Sequence, residues 1–291
     1  MDLKGRRSSS NVEDRRGLST GAKAGIGGLG GIIVIALMTF MQGGNIGDVV
    51  TNVIQQSQMQ APTETVGEES FTEEEQQLAE ECKQILASTE DVWTKVFKEN
   101  GWGEYQYPTL VLFTHQVNSA CGSATAAVGP FYCSGDQKLY VDLSFFTEMK
   151  RQLGVEGNTF AYAYVIAHEI GHHVEYLTGT LTKAHQAMSQ TNKTQANQIS
   201  VRLELLADYY AGVWAHYEDA MNHSMEYGDL EKGLELAKAI GDDWLQKKAQ
   251  GRATPESFTH GTSEQRKRWL NRGYQTGNMS TTTFTGDYNS L

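Results

Sequence analysis

The chain has 291 residues, 39% hydrophobic content, only four prolines and a formal net charge of −11. That length supports one sizeable core, or one core with an appendage. The acidic balance argues against a nucleic-acid partner, which would require a basic surface, and says little about fold.

Charge is unevenly placed at the start of the chain. Residues 1–23 hold six basic side chains, Lys4, Arg6, Arg7, Arg15, Arg16 and Lys23, against Asp2, Glu13 and Asp14. Residues 24–47 carry none, and their apolar centre runs from Ile26 to Met41. A membrane-spanning helix needs roughly 20 residues, a length that 24–44 reaches with its flanks. A buried core helix would show a polar face, and a cleaved signal peptide would show a small-residue cleavage site after Met41. The sequence therefore predicts an uncleaved transmembrane anchor at 24–44. The positive-inside rule then places residues 1–23 in the cytoplasm and the rest on the extracytoplasmic side, as a single-pass protein of the cell membrane. Residues 45–70, polar and rich in Gln, Thr and Glu, read as a linker.

From Phe71 on, Leu78, Cys82, Ile85, Leu86, Trp93, Val96 and Phe97 recur at helical spacing up to Asn100-Gly101. Residues 108–114, 129–133 and 138–146 read as strands, the last two separated by a turn at Ser134-Gly135-Asp136. Asn158-Thr159 opens a long helix that ends before Gly179. A polar connection follows over 180–198, then helices over about 200–221 and 230–250. Thr262-Ser263-Glu264-Gln265 has the form of a capping box that opens a last helix ending at Gly273. A Thr/Ser/Gly-rich tail over 276–291 reads as loosely ordered. The order is that of an α+β domain over 71–275. Of the three cysteines, Cys121 and Cys133 bracket the stretch CGSATAAVGPFYC. An exported domain permits their disulfide, and three buried thiols are the other reading.

The stretch AYVIAHEIGHHVEYL, 163–177, places three histidines and two glutamates in what otherwise reads as a buried helix. Burying polar groups without partners costs on the order of 2–7 kcal/mol each, so something must compensate. His168-Glu169-Ile170-Gly171-His172 supplies an answer. Imidazoles at i and i+4 share one helix face and can share one cation, with Glu169 beside it as a base. The other reading is a pair of hydrogen-bonded core histidines. His173 points about 100° away around the helix and is a poor third ligand. A longer pattern, HExxHxxGxxH, would need a glycine and a histidine where this chain has Glu175 and Thr178, so it fails. The better third ligand is Glu204, and Asp208 one turn on would accept a hydrogen bond from a ligand histidine. Both acids stand in the apolar stretch VRLELLADYYAGVWAH, 201–216, where an exposed polar stripe is the alternative.

HEIGHH, ELLADYYAGVWAH and FTHGTSEQRKRWL, together with GRRSSSNVEDRRG at 5–17 and residues 120–146, resemble the family of putative neutral zinc metallopeptidases, bacterial membrane-anchored proteins. The His-Glu-x-x-His and later Glu-x-x-Ala-Asp resemble the gluzincin type more broadly. The resemblance implies a zincin-like domain with a small sheet, and an active-site helix packed on further helices. It implies one zinc ion on His168, His172 and Glu204, with Glu169 as base and Asp208 behind a ligand. Leu206 and Tyr209 depart from the family's usual Gln and Cys without touching the metal positions.

These readings converge on a membrane-anchored zinc endopeptidase that hydrolyses a peptide or protein substrate with metal-activated water. His260, just before the last helix, is the candidate donor to the developing oxyanion; a surface histidine with local bonds is the alternative. Arg266 reads as structural. Gly171 reads as a tight-packing position behind the metal. The strand 129–133, or its Gly-rich approach, is a candidate edge for an extended substrate. The competing functions are a non-catalytic zinc-stabilised interaction or chaperone-like module of the cell envelope, and a metal-independent scaffold.

Overall fold

The structure, a computed structural model, describes residues 1–17, 71–125, 129–153, 158–281 and 283–291. Helix α1, Glu73–Asn100, opens on a capping box: Glu75 N–H donates to the Thr72 hydroxyl, and the Glu75 carboxylate accepts from Thr72 N–H. It ends at Gly101 in the left-handed region. Strands β1 (Val12–Asp14), β2 (Thr109–Phe113), β5 (Phe131–Cys133) and β6 (Lys138–Asp142) form a sheet in the order β1-β2-β6-β5. The first three are parallel and β5 is antiparallel to β6. A hairpin of β3 (Gln116–Ser119) and β4 (Gly122–Thr125) stands apart.

Alternation of side chains divides the sheet. Leu110, Leu112, Leu139 and Val141 face the main core. Val111, Phe113, Tyr140 and Cys133 face the hairpin residues Val117 and Ala124. After the short α2, Ser144–Leu153, helix α3, Thr159–Leu177, runs through the main core, its start capped by the Asn158 side chain. Then come α4 (Thr180–Ser189), α5 (Lys193–Asn222), α6 (Asp229–Ala239), α7 (Asp242–Gln250) and α8 (Ser263–Thr276), the last with its own capping box at Thr262 and Gln265.

Several expectations are corrected. The described residues are mostly helical with small sheets, which corrects the α+β reading, and no described helix supports the transmembrane segment expected before the domain. The strands are only three to five residues long, while α1, α3 and α5 have 28, 19 and 30. The polar connection at 180–198 is α4 and the first turns of α5. Residues 144–146 begin a helix, not the end of a strand. The tail packs: Leu291 is buried, and Arg268 donates to its carbonyl at 2.7 Å.

The predicted anchor at 24–44 and the linker at 45–70 lie outside the described residues, and no described helix is long and apolar enough to cross a membrane. The residues on either side decide against the single-pass arrangement. β1 lies in the same sheet as β2 in parallel register, Val12 opposite Leu110. Arg16 packs its guanidinium over the Phe71 ring at 4.2 Å and donates to the Glu75 carbonyl at 3.1 Å. Residues 1–17 therefore belong to the same folded body as 71–291, whereas the expected topology puts a membrane between them. The basic side chains at the start of the chain are used in this docking. Arg6 pairs with the fully buried Glu218, which also accepts from Ser88 at 2.7 Å. Arg7 and Asn11 reach the buried Glu90 at 2.9 and 2.7 Å, and Ser9 donates to it at 2.6 Å.

Close helix crossings set the remaining geometry. A Cβ on Gly171 in α3 would lie 2.8 Å from the Ala207 Cα and 2.9 Å from its carbonyl oxygen in α5. Only a residue without a side chain permits that approach. Gly212 of α5 and Gly273 of α8 meet backbone against backbone in the same way. These crossings bring α3, α5 and α8 together behind one cleft.

Removing Arg6 leaves Glu218 buried without its cation. Arg6→Ala is expected to lower the urea unfolding free energy by about 3 kcal/mol, as for a broken buried ion pair. A variant as stable as the wild type would show that the N-terminal segment is not part of the core structure.

Candidate metal centre

His168 and His172 stand one turn apart on α3, and Glu204 reaches them from α5. His168 Nε2 lies 3.2 Å from Glu204 Oε2, and His172 Nε2 lies 3.5 Å from Oε1. One donor atom from each of the three residues falls within 4.8 Å of the others, so the set could hold one metal ion. The far side of each ring is occupied. His168 Nδ1 meets Asp208 at 2.8 Å and His172 Nδ1 meets Glu175 at 2.9 Å. A carboxylate only accepts, so each Nδ1 donates to its own partner, and each Nε2, facing Glu204, is the nitrogen that could exchange a proton for an ion. A metal would take each ring through Nε2 with Nδ1–H held on the far side, and two imidazoles with one carboxylate are a zinc ligand set.

The surrounding field also suits a cation. Burial opposes protonation of His168, but Asp208 and Glu204 outweigh it and hold the ring up at about 9. His172 is raised likewise, with Glu175 and Glu204 acting against burial. Glu204 itself lies well below its ordinary value: burial opposes the charge, but His260, His168 and His172 favour it. Asp208 is fully buried and accepts four hydrogen bonds, from His168, from Tyr164 at 2.6 Å and from Arg266 at 2.8 and 2.9 Å. Against burial, Arg266 and His168 bring it down to about 2.

Glu169 follows His168 on α3 and lines the same cleft. Burial raises its pKa, while His168, His172 and the backbone N–H of Tyr132 oppose the rise. The cleft holds about 450 Å³ and is bounded on one side by β5 and the Cys121 turn, on the other by α4 and α5. Cys121 and Cys133 form a disulfide, and Cys82 is a buried free thiol. His260 lines the cleft from the loop before α8. The buried Asp242 holds this loop, accepting from the backbone N–H of Thr259, His260 and Gly261 at 2.8, 2.6 and 3.0 Å and contacting His260 Nδ1 at 3.2 Å. Against burial, Glu204 and Asp242 raise the His260 pKa.

The structure thus brings together His168, Glu169, His172, Glu204, Asp208 and His260. Arg266 lies beside them as the partner of Asp208. His173 faces away from the centre. Sequence reasoning missed Glu175, Tyr164 and Asp242. Glu175 left a trace, as an acid on an otherwise apolar helix one turn beyond His172. Tyr164 and Asp242 left none, because their partners lie 44 and 18 residues away in the chain.

The chain belongs to one sequence family over nearly its whole length. The family described as "Putative neutral zinc metallopeptidase" matches residues 1–284. Among its relatives is "Uncharacterized protein YpfJ" of Escherichia coli K12, 42% identical over 283 residues, covering 95% of this chain and 96% of that protein. "Uncharacterized protein Rv2575" of Mycobacterium tuberculosis H37Rv is also 42% identical, over 182 residues and 60% of each chain. No solved structure matches.

Burial pushes the His173 ring down to about 4, with a smaller opposing effect from the Gln106 carbonyl. An unfolded chain would protonate it near 6.5. Between those values the unfolded state holds the extra proton, so His173 removes stability as pH falls from 6.5 to 4 and has no such effect above 6.5. In urea unfolding of metal-free protein, the step from about pH 7.5 to about pH 4.5 should cost the wild type about 2–3 kcal/mol more than His173→Gln. Parallel pH profiles would contradict this.

Proposed function

We propose that the protein is a zinc-dependent endopeptidase acting on extended polypeptide. The observation that carries this reading is the convergence of two imidazole Nε2 atoms and the Glu204 carboxylate beside Glu169, in a cleft open to solvent. A zinc ion held by His168, His172 and Glu204 would supply Lewis acidity toward a water and a scissile carbonyl.

The chain's own residues do the rest. Glu169 takes a proton from the attacking water and returns it to the leaving amine, and its raised pKa suits both directions. His260, steadied by Asp242, donates to the carbonyl oxygen as negative charge develops there. Asp208 and Glu175 keep the ligand rings turned, and Arg266 and Tyr164 keep Asp208 in place.

The substrate backbone lies along the outer edge of β5, the last strand of its sheet among the described residues. Apart from the base Glu169, the described carboxylates and guanidinium that line the cleft are already engaged: Asp242 by the loop, Arg266 by Asp208, Glu204 by the imidazoles. No such group is set to recognise a chain terminus, which favours cleavage at internal bonds. A closed, non-catalytic zinc site would need a fourth protein ligand, and the metal-holding group among the described residues has three.

Glu169→Gln keeps the size of the side chain and removes the base. Hydrolysis of an unfolded protein such as casein is expected to fall roughly a hundredfold to ten-thousandfold, with zinc content unchanged. Full activity in that variant would overturn the assignment of Glu169.

A further inference from the structure

The third histidine of HEIGHH has no part in holding the metal. It is fully buried and uses both ring nitrogens. Nε2 lies 2.7 Å from the Gln106 carbonyl oxygen and Nδ1 lies 2.8 Å from the Tyr132 hydroxyl. A carbonyl only accepts, so Nε2 carries the hydrogen, and the neutral ring accepts the Tyr132 O–H at Nδ1. The ring also meets Tyr132 edge-on, with centroids 5.3 Å apart. His173 thus ties α3, one residue beyond a metal ligand, to the middle of β5.

That strand has little else in its backbone to hold it. It is three residues long and among the described residues pairs with β6 alone, and so short an edge strand is weak by itself. Each of its side chains is fastened instead. Phe131 stacks on Tyr140 at 4.8 Å. Cys133 is bonded to Cys121. Tyr132, on the opposite face, reaches His173. Tyr132 is also the residue whose backbone N–H faces the Glu169 carboxylate. A shift of β5 therefore changes the distance between the strand and the base.

We infer that His173 and Tyr132 form a positioning latch that holds β5, and any substrate laid along it, in register with Glu169 and the metal ligands. The inference rests on the peptidase reading above for its substrate, and on the geometry of β5 alone for the latch. His173 is here a positioning residue, acting through Tyr132.

Two measurements on Tyr132→Phe and His173→Gln test it. The first is amide hydrogen exchange of the zinc-loaded protein. The latch predicts faster exchange at residues 131–133 in both variants, with β1, β2 and α3 unchanged. Unaltered exchange at 131–133 overturns the latch, whatever the activity. The second uses fluorescein-labelled casein as the unfolded substrate. The expected result is a KM raised on the order of tenfold with a smaller loss in kcat, since misplacement of a binding element weakens productive contact. The double variant should lose no more than the worse single one, because both changes break one interaction. Faster exchange with KM unchanged overturns the role in substrate positioning. A fall in kcat alone, as from a smaller folded fraction, also overturns it. A zinc-loaded wild type that leaves casein intact counts against the peptidase reading, and the exchange result still decides the latch.

Discussion

The close crossing of α3 and α5 at Gly171 and Ala207 is the constraint on which the site depends. A metal ligand set drawn from two helices needs their axes near enough for a short glutamate to reach two imidazoles. Any Cβ at position 171 would meet the Ala207 backbone below 3 Å, and overpacking of that kind typically costs about 1–3 kcal/mol or moves a helix. With glycine there, Glu204 arrives 3.2 and 3.5 Å from the two rings. The same crossing places Asp208, one turn further along α5, on the far nitrogen of His168. The Gly212–Gly273 contact extends the arrangement to α8, which delivers Arg266 to Asp208.

The polar groups are arranged so that none carries its burial alone. An isolated carboxylate as buried as Asp208 would be neutralised or expelled. Here it is shared among a tyrosine, a histidine and an arginine, and remains charged down to about pH 2. Glu175 plays the corresponding role for His172 with fewer partners: its Oε1 has none among the described residues, and burial leads the causes that raise its pKa to about 7. The two histidines of the site are therefore supported unequally, with His168 on a charged network and His172 on a single carboxylate.

What the sequence made legible follows from helical periodicity. His168 and His172, and again Glu204 and Asp208, are four residues apart, and a helix turns that spacing into a shared face. The capping box at Thr262 was readable because its partner is three residues away. Contacts between distant elements had no such signature. Asp242 beneath His260 and Tyr132 against His173 depend on how loops and strands come together. The start of the chain misled for a related reason. Hydropathy describes a segment and its charges, and reads Arg6, Arg7, Arg15 and Arg16 as flanks of an anchor. It does not show that Val12–Asp14 adds a strand to the sheet beside β2, or that Arg6 is the counter-ion of Glu218. Helix α4 was read as a polar connection because only Leu181 and Ala184 are buried along it.

The site works as proposed only if α3 and α5 together present two imidazoles and one carboxylate to a single divalent ion. Zinc K-edge X-ray absorption on the full chain loaded with one equivalent of zinc tests it most directly. The expected spectrum shows only nitrogen and oxygen neighbours, with the outer-shell scattering of two imidazoles, and Glu204→Gln alters the oxygen contribution while leaving the imidazoles. A sulfur neighbour, or a spectrum that Glu204→Gln leaves untouched, would contradict it.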